Sequence, residues 1–286
     1  MRGERSVSAA EGGGSSYVEL ATIESAAGSM DGAFVFHVVY DIIGFALFMH
    51  QQIPSLLQDL TSEFDELLAE FKELEAVLAH EETTGPARRK HASRKREVRV
   101  CMRRWNKFMN TISNVKTALQ LMLTEVPSIE TLLLVIGSTP IRPLHVFELH
   151  FSQGGRVRSP DYSRTRAVET ILKKAIRELV SRGAGSSSNP GATKLYLLVR
   201  APSSLSLPLH FVPKRDFRFS KKKVEPFKLV FKCKVNGDLG KTPGSADNQD
   251  ANTMTFTDSA FDDIIWFQCR HVIKGFATRT SPTEED

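Results

Sequence analysis

Ala33 to Met49 is the most apolar stretch of the chain, and a segment of that kind is hidden either in a protein core or in a bilayer. At about 17 residues it is short for a bilayer span, and Asp41 lies near its centre with His37, Tyr40 and Gly44 around it. A buried core helix is therefore expected. Gly44 lowers its helix propensity, but a glycine can also mark a point where another helix approaches closely.

Downstream of Pro54, Ser55-Leu-Leu-Gln58 has the form of a capping box, which predicts a helix starting at Ser55. Leu57, Leu60, Phe64, Leu67, Phe71, Leu74 and Leu78 then alternate spacings of three and four. The pattern returns with Val98, Cys101, Trp105, Phe108, Ile112, Val115, Leu119 and Met122. Two stripes of matching length in one chain predict an antiparallel helical hairpin, joined by a basic linker over residues 81–97. Closing a loop of ~17 residues costs little. Pairing of the stripes between chains, a coiled-coil scaffold, is the other reading.

From Thr131 the pattern becomes that of strands. Leu132 to Ile136 is continuously apolar, as in a strand covered on both faces, whereas Phe147, Leu149 and Phe151 alternate with Glu148 and His150. Arg166 to Val180 reads as a helix with Val168, Ile171, Leu172, Ala175 and Leu179 buried and Ile176 and Val180 at the margin of that stripe. Lys194 to Arg200 is a further buried strand ended by Pro202. Phe227 to Val235 alternates with Lys228, Lys232 and Lys234, which reads as a half-buried antiparallel strand suited to a sheet edge. Phe261 to Gln268 is an aromatic-rich terminal strand. The fold class expected is α+β, a mixed and mainly antiparallel sheet with helices on one face.

Hydrophobic residues make up 41% of the 286-residue chain, enough for a sizeable core, and the polar tails reduce the foldable part to one domain of ~200 residues. That domain is placed at residues 31–280. A disordered tail is expected over residues 1–30, where no apolar signal segment is seen, a mobile loop over 237–252, and an acidic tail over 281–286. Cys101, Cys233 and Cys269 have no CxxC spacing, which argues against a disulfide framework or a zinc site and places the chain in a reducing compartment.

The net charge of +5 is too mild to imply nucleic-acid binding over a whole surface. Within the linker, Arg88, Arg89 and Lys90, then Arg94, Lys95 and Arg96, form basic clusters. They read as a nuclear localisation signal, as a phosphate-contacting patch, or as a solvated loop. Lys221 to Lys223 reads as a solvated turn.

The sequence contains no glycine-rich phosphate loop, HExxH, nucleophile elbow or paired cysteines, and the histidines are dispersed without metal-ligand spacing. Asp262 and Asp263 are neighbours on a strand, so they point to opposite faces and mark the strand's beginning rather than an acid/base pair. No enzyme and no cofactor is expected.

Several blocks, in this order, resemble the comet family of spindle-checkpoint adaptors: Phe48-Met-His-Gln-Gln-Ile-Pro54, Thr131 to Gly137, Phe147 to Phe151, Phe211-Val-Pro-Lys-Arg-Asp-Phe-Arg218, and Asp263-Ile-Ile-Trp-Phe-Gln268 with Lys274-Gly-Phe276. The resemblance implies a HORMA-like domain in which Ile264, Ile265, Trp266, Phe267 and Gln268 fill the protein's own seat-belt groove as an internal ligand. It also implies an adaptor that binds closed HORMA proteins of the Mad-two type, or meiotic axis HORMA proteins, and presents them to a Pch-two-type AAA+ ATPase.

The matching partner face is Met49, Gln51 and Gln52 with Leu172, Lys173, Ile176, Leu179 and Val180, and the ATPase-docking pair is Pro213-Lys214. The family has a glutamine where Met49 stands and an aromatic where Ile176 stands. The smaller anchor costs about 1 kcal/mol, which leaves room for a different HORMA client. Implied settings are the nucleus, chromosomes or kinetochores, and a cytoplasmic pool in mitosis. A chromosome-associated nucleic-acid-binding protein is the alternative class.

Overall fold

The Asp31 side chain accepts the Phe34 N–H at 2.8 Å and so caps the internal helix α1, Gly32–Met49. The structure is a computed structural model that describes residues 21–25, 30–79, 85–126, 129–152, 166–185, 191–220, 224–233 and 263–275. Helix α1 is buried on most sides, with Val38, Val39, Ile42, Ile43, Ala46 and Leu47 at 0% exposure. By length and composition it would suffice to cross a membrane, and most of it is enclosed here by the fold.

Its cover comes from helices α3, Gly85–Glu125, and α4, Arg166–Ser181, and from a sheet. Helix α2, Leu60–Ala79, pairs antiparallel with α3: Phe64 meets Trp105 at 6.5 Å between ring centroids, while further along α2 Glu75 bonds Lys95 at 2.8 Å. The hairpin is therefore intramolecular, and its heptad residues Leu60, Leu74, Val98, Trp105, Phe108 and Ile112 are buried. At Gly44 the close neighbour is a turn and not another helix. A Cβ there would sit 3.0 Å from Leu57 Cδ1, in the turn that leads to α2.

The strands are β1, Ala21–Ser25; β2, Thr131–Thr139; β3, Arg142–Phe151; β4, Lys194–Pro202; β5, Phe211–Lys214; β6, Phe227–Cys233; β7, Ile264–Cys269; and β8, Ile273–Lys274. Their order is β1-β6-β3-β2-β4-β7-β5, with β8 beside β4. The pairs β1·β6 and β3·β6 are parallel and the others antiparallel, so the sheet is mixed and mainly antiparallel. The main core lies between the sheet and the helices. On the opposite face Leu133, Val135, Val146, Tyr196 and Leu198 pack under Phe217, Phe219, Val224, Trp266 and Val272.

The fold departs from the sequence pattern in several places. The tail over residues 1–30 is not all tail, because Ala21, Ile23 and Ser25 are buried where β1 joins β6. Strand β6 is neither antiparallel nor an edge; it lies between β1 and β3, and its Lys228 reaches Glu148 at 3.9 Å across the β3 pairing. Alternation reports which face is buried but is blind to the direction of the neighbours.

The linker over 81–97 is helical from Gly85 onward, because arginine and lysine are good helix formers and Glu70 and Glu75 of α2 pair with Arg94 and Lys95. The capping box at Ser55 does not form. Helix α2 starts at Leu60 after a turn in which Leu60 N–H donates to Leu56 C=O, and the buried Ser55 Oγ has no hydrogen-bond partner among the described residues. Residues 1–20, His80, Lys221 to Lys223, the loop 237–252, Asp262, Phe276 and the tail 281–286 lie outside the described residues.

Because β1 is part of the sheet, Ile23→Asp puts a charge into the core beside β6. It lowers unfolding free energy by at least ~2 kcal/mol in a urea titration, whereas a substitution in a tail leaves the midpoint unchanged.

Candidate functional site

Helix α1 ends in a Schellman motif: Gln52 N–H donates to Leu47 C=O at 2.7 Å and Gln51 N–H to Phe48 C=O at 2.9 Å. This geometry forces Gln51 into the left-handed region, φ 52°, where a side chain is strained. Helix α4 ends with the same pair of bonds, Ala184 N–H to Leu179 C=O and Gly183 N–H to Val180 C=O, but there a glycine takes the left-handed position at φ 81°. Gln51 is exposed. The two helix ends meet, since Met49 lies so close to Gly185 that a Cβ there would be 2.7 Å from Met49 Cε.

Gln52, which the resemblance places on the partner face, is instead 1% exposed and ties three segments together. Its Nε2 donates to His50 C=O at 2.8 Å and Gly191 C=O at 3.2 Å, and its Oε1 accepts Thr193 N–H at 2.6 Å. Gly275 N–H donates to Thr193 C=O at 2.9 Å, and Gly275 lies so close to Gln52 that no Cβ fits. The blocks Phe48–Pro54 and Lys274-Gly275 thus meet at this amide.

Leu172 and Leu179, also expected on that face, are turned inward at 6% and 0% exposure. What α4 presents is Lys173, exposed, Ile176, half-buried, and Val180, 49% exposed. The apolar margin is therefore narrow, because the rest of the stripe is consumed by packing on α1 and β1.

Beneath the helix end, the rings of His50 and His145 stack with centroids 3.8 Å apart. Burial, and then the neighbouring His145, push the His50 pKa down to about 4; burial likewise lowers that of His145. A second pair joins His210 Nδ1 to His271 Nε2 at 3.0 Å. Sequence spacing gave no sign of either pair, because each joins residues brought together only by the tertiary fold. Among the described residues no group of three or more His, Cys, Asp or Glu side chains is arranged to hold a metal ion.

Strand β7 is paired on both sides, with β4 through Leu198 to Pro202 and with β5 through Phe211 to Lys214. Ile265, Phe267 and Cys269 join the helix-side core, while Trp266 packs on the opposite face with Phe217 edge-on at 6.0 Å. Ile264 is 51% exposed and Gln268 half-buried. Pro213 and Lys214 stand exposed at the end of the edge strand β5, where a proline is tolerated, rather than in the turn expected; the turn follows at Arg215-Asp216. The segment is stapled by Arg270, whose Nε donates to Pro208 C=O and whose N–H donates to His210 C=O, each at 2.8 Å.

A groove of about 1020 Å³ lies between the hairpin and the end of β8, lined by Glu63, Glu66, Leu67, Arg104, Trp105 and Gly275 among others. The basic clusters Arg88 to Lys90 and Arg94 to Arg96 lie on α3. No protein-family profile matches the chain, and no curated protein matches its sequence.

Two outcomes follow from this geometry. Gln51→Gly relieves the left-handed strain and raises stability by about 0.5–1 kcal/mol in denaturant unfolding. The buried histidines bind protons more readily once unfolded, so their contribution is complete above pH ~6.5 and is lost as pH falls toward 4. A urea-midpoint series across that window shows the fall, and His50→Gln makes it shallower.

Proposed function

We propose that this chain is a non-enzymatic adaptor with a HORMA-like domain. It binds closed-conformation HORMA proteins, of the Mad-two or meiotic axis type, and presents them to a Pch-two-type AAA+ ATPase for remodelling, so silencing the spindle checkpoint or regulating chromosome axes. The observation that carries the reading is strand β7, a C-terminal segment that the chain's own β4 and β5 pair on both sides. A groove already filled from within has no place for a client's peptide, which leaves outer surfaces for recognition.

The blocks behind the comet resemblance also meet one another. Phe217 packs on Trp266, and Gln52 lies against Gly275. Such convergence supports one shared architecture over scattered coincidence. The client face in this reading is Lys173, Ile176 and Val180 with Met49 and Gln51 beside them, and Gln52, Leu172 and Leu179 act from beneath. Lys214 meets an acidic ATPase surface as a point charge on a short, stapled edge strand. Nuclear import through Arg88 to Lys90 and Arg94 to Arg96, with chromosome or kinetochore association, completes the proposal.

Pull-downs with Mad-two locked closed or open, and with a meiotic HORMA protein, test it. Wild type captures a closed HORMA protein, and Ile176→Asp loses it by at least tenfold because a charge must be desolvated at the contact. Lys214→Glu keeps the client and loses the ATPase. Capture of no HORMA protein by the folded wild type overturns the reading.

A further inference from the structure

Helix α3 sorts its positive charge between its sides. Arg94 and Lys95 turn toward α2, where Glu70 is 2.6 Å from Arg94 and Glu75 is 2.8 Å from Lys95, and Arg99 lies over the Phe71 ring at 5.6 Å. Arg89, Arg96 and Arg103 recur every seventh residue and are exposed, so they form a row along the outer side, about 10.5 Å between neighbours and 21 Å in all. Lys107, also exposed, continues the row by one turn at the rim of the groove that Glu63, Glu66 and Glu70 also line. None of these four makes a salt bridge among the described residues, and the sole acid between Gly85 and Lys107, Glu97, is 3.4 Å from Arg94.

From this row we infer that α3 binds the phosphate backbone of double-stranded DNA, independently of sequence. An uncompensated line of guanidinium groups on a rigid helix matches a regular polyanion and releases its counterions on contact. A row of 21 Å spans about six base-pair steps. Exposed aromatic residues, which single strands need for stacking, are missing from Gly85 to Lys107, where Trp105 is buried at 4% exposure. A-form RNA has a deep major groove too narrow for side chains, whereas the major groove of B-DNA accepts an α-helix side. An apolar peptide would find only Val100, 47% exposed. This surface is separate from the client face on α1 and α4, so it stands or falls independently of the adaptor reading.

Fluorescence anisotropy of the full chain with a labelled 24-base-pair DNA duplex, from 50 to 200 mM salt, is the test. For about four phosphate contacts the log–log salt slope is roughly −3.6, a loss of about 150-fold across that range. Arg89→Gln, Arg96→Gln and Arg103→Gln together make the slope shallower by about 2.7 and weaken binding at 50 mM at least tenfold. The exposed control Lys116→Gln changes neither, and replacing the same three arginines by lysine keeps the slope, which separates charge from folding. The proposal is overturned by absence of binding at ~100 µM protein in 50 mM salt, or by a folded triple glutamine variant that binds like wild type. It is equally overturned if single-stranded DNA or duplex RNA binds more tightly than the DNA duplex, or if sedimentation shows the row pairing copies of the chain while DNA is not bound.

Discussion

A helix that is apolar on nearly every side has to be enclosed, and α1 sets that demand for the whole molecule. Val38, Val39, Ile42, Ile43, Ala46 and Leu47 have no contact with solvent, so cover must arrive from several directions at once. The sheet supplies one side, through contacts such as Phe34 on Phe231 at 6.5 Å. Helices α3 and α4 supply others. Burying each large aliphatic side chain contributes about 1.5–3 kcal/mol, so the enclosure of α1 outweighs any exposed ion pair on the hairpin, which adds at most about 1 kcal/mol. Even the ends of α1 are fixed by this role: Asp31 closes one, and the Gln51 turn closes the other against α4 and the C-terminal exit.

Where side-chain periodicity and burial coincide, the sequence was legible. Val168, Ile171, Leu172, Ala175 and Leu179 are the buried residues of α4, as their spacing predicts, and the continuous run Leu132 to Ile136 is covered on both faces. Features decided by distant partners were hidden. The alternation of Ala21, Ile23 and Ser25 is too short to stand out in a polar tail, and it becomes a strand because β6 offers an unpaired parallel edge. Residues 85–97 have the composition of a linker, with Pro86 at the helix start where it is tolerated, yet α2 supplies the carboxylates that let basic residues continue a helix.

The surface expected for a partner was legible only in part. Its helix and its margin could be placed, but burial of Leu172, Leu179 and Gln52 is a property of the packed domain. Gln52 shows the difference clearly. In the sequence it is a polar residue beside an exposed turn; in the fold its amide satisfies backbone groups of Gly191 and Thr193, more than a hundred positions away. A buried amide with that many partners serves positional accuracy, so the Met49 and Gln51 side chains above it inherit a fixed setting.

The strand order has a bearing on how the chain reaches this state. β4 at residues 194–202 has β7 at 264–269 as a neighbour, and β1 at 21–25 waits for β6 at 227–233. Pairings between such distant segments carry a large loop-closure cost and slow the approach to the native state. During synthesis, the helices and the β2–β3 hairpin can assemble early, while one side of β4 stays an open hydrogen-bonding edge until β7 and β8 have emerged. Completion of the sheet is thus a late event, and a nascent chain held short of residue 264 exposes an apolar strand edge of the kind that molecular chaperones protect.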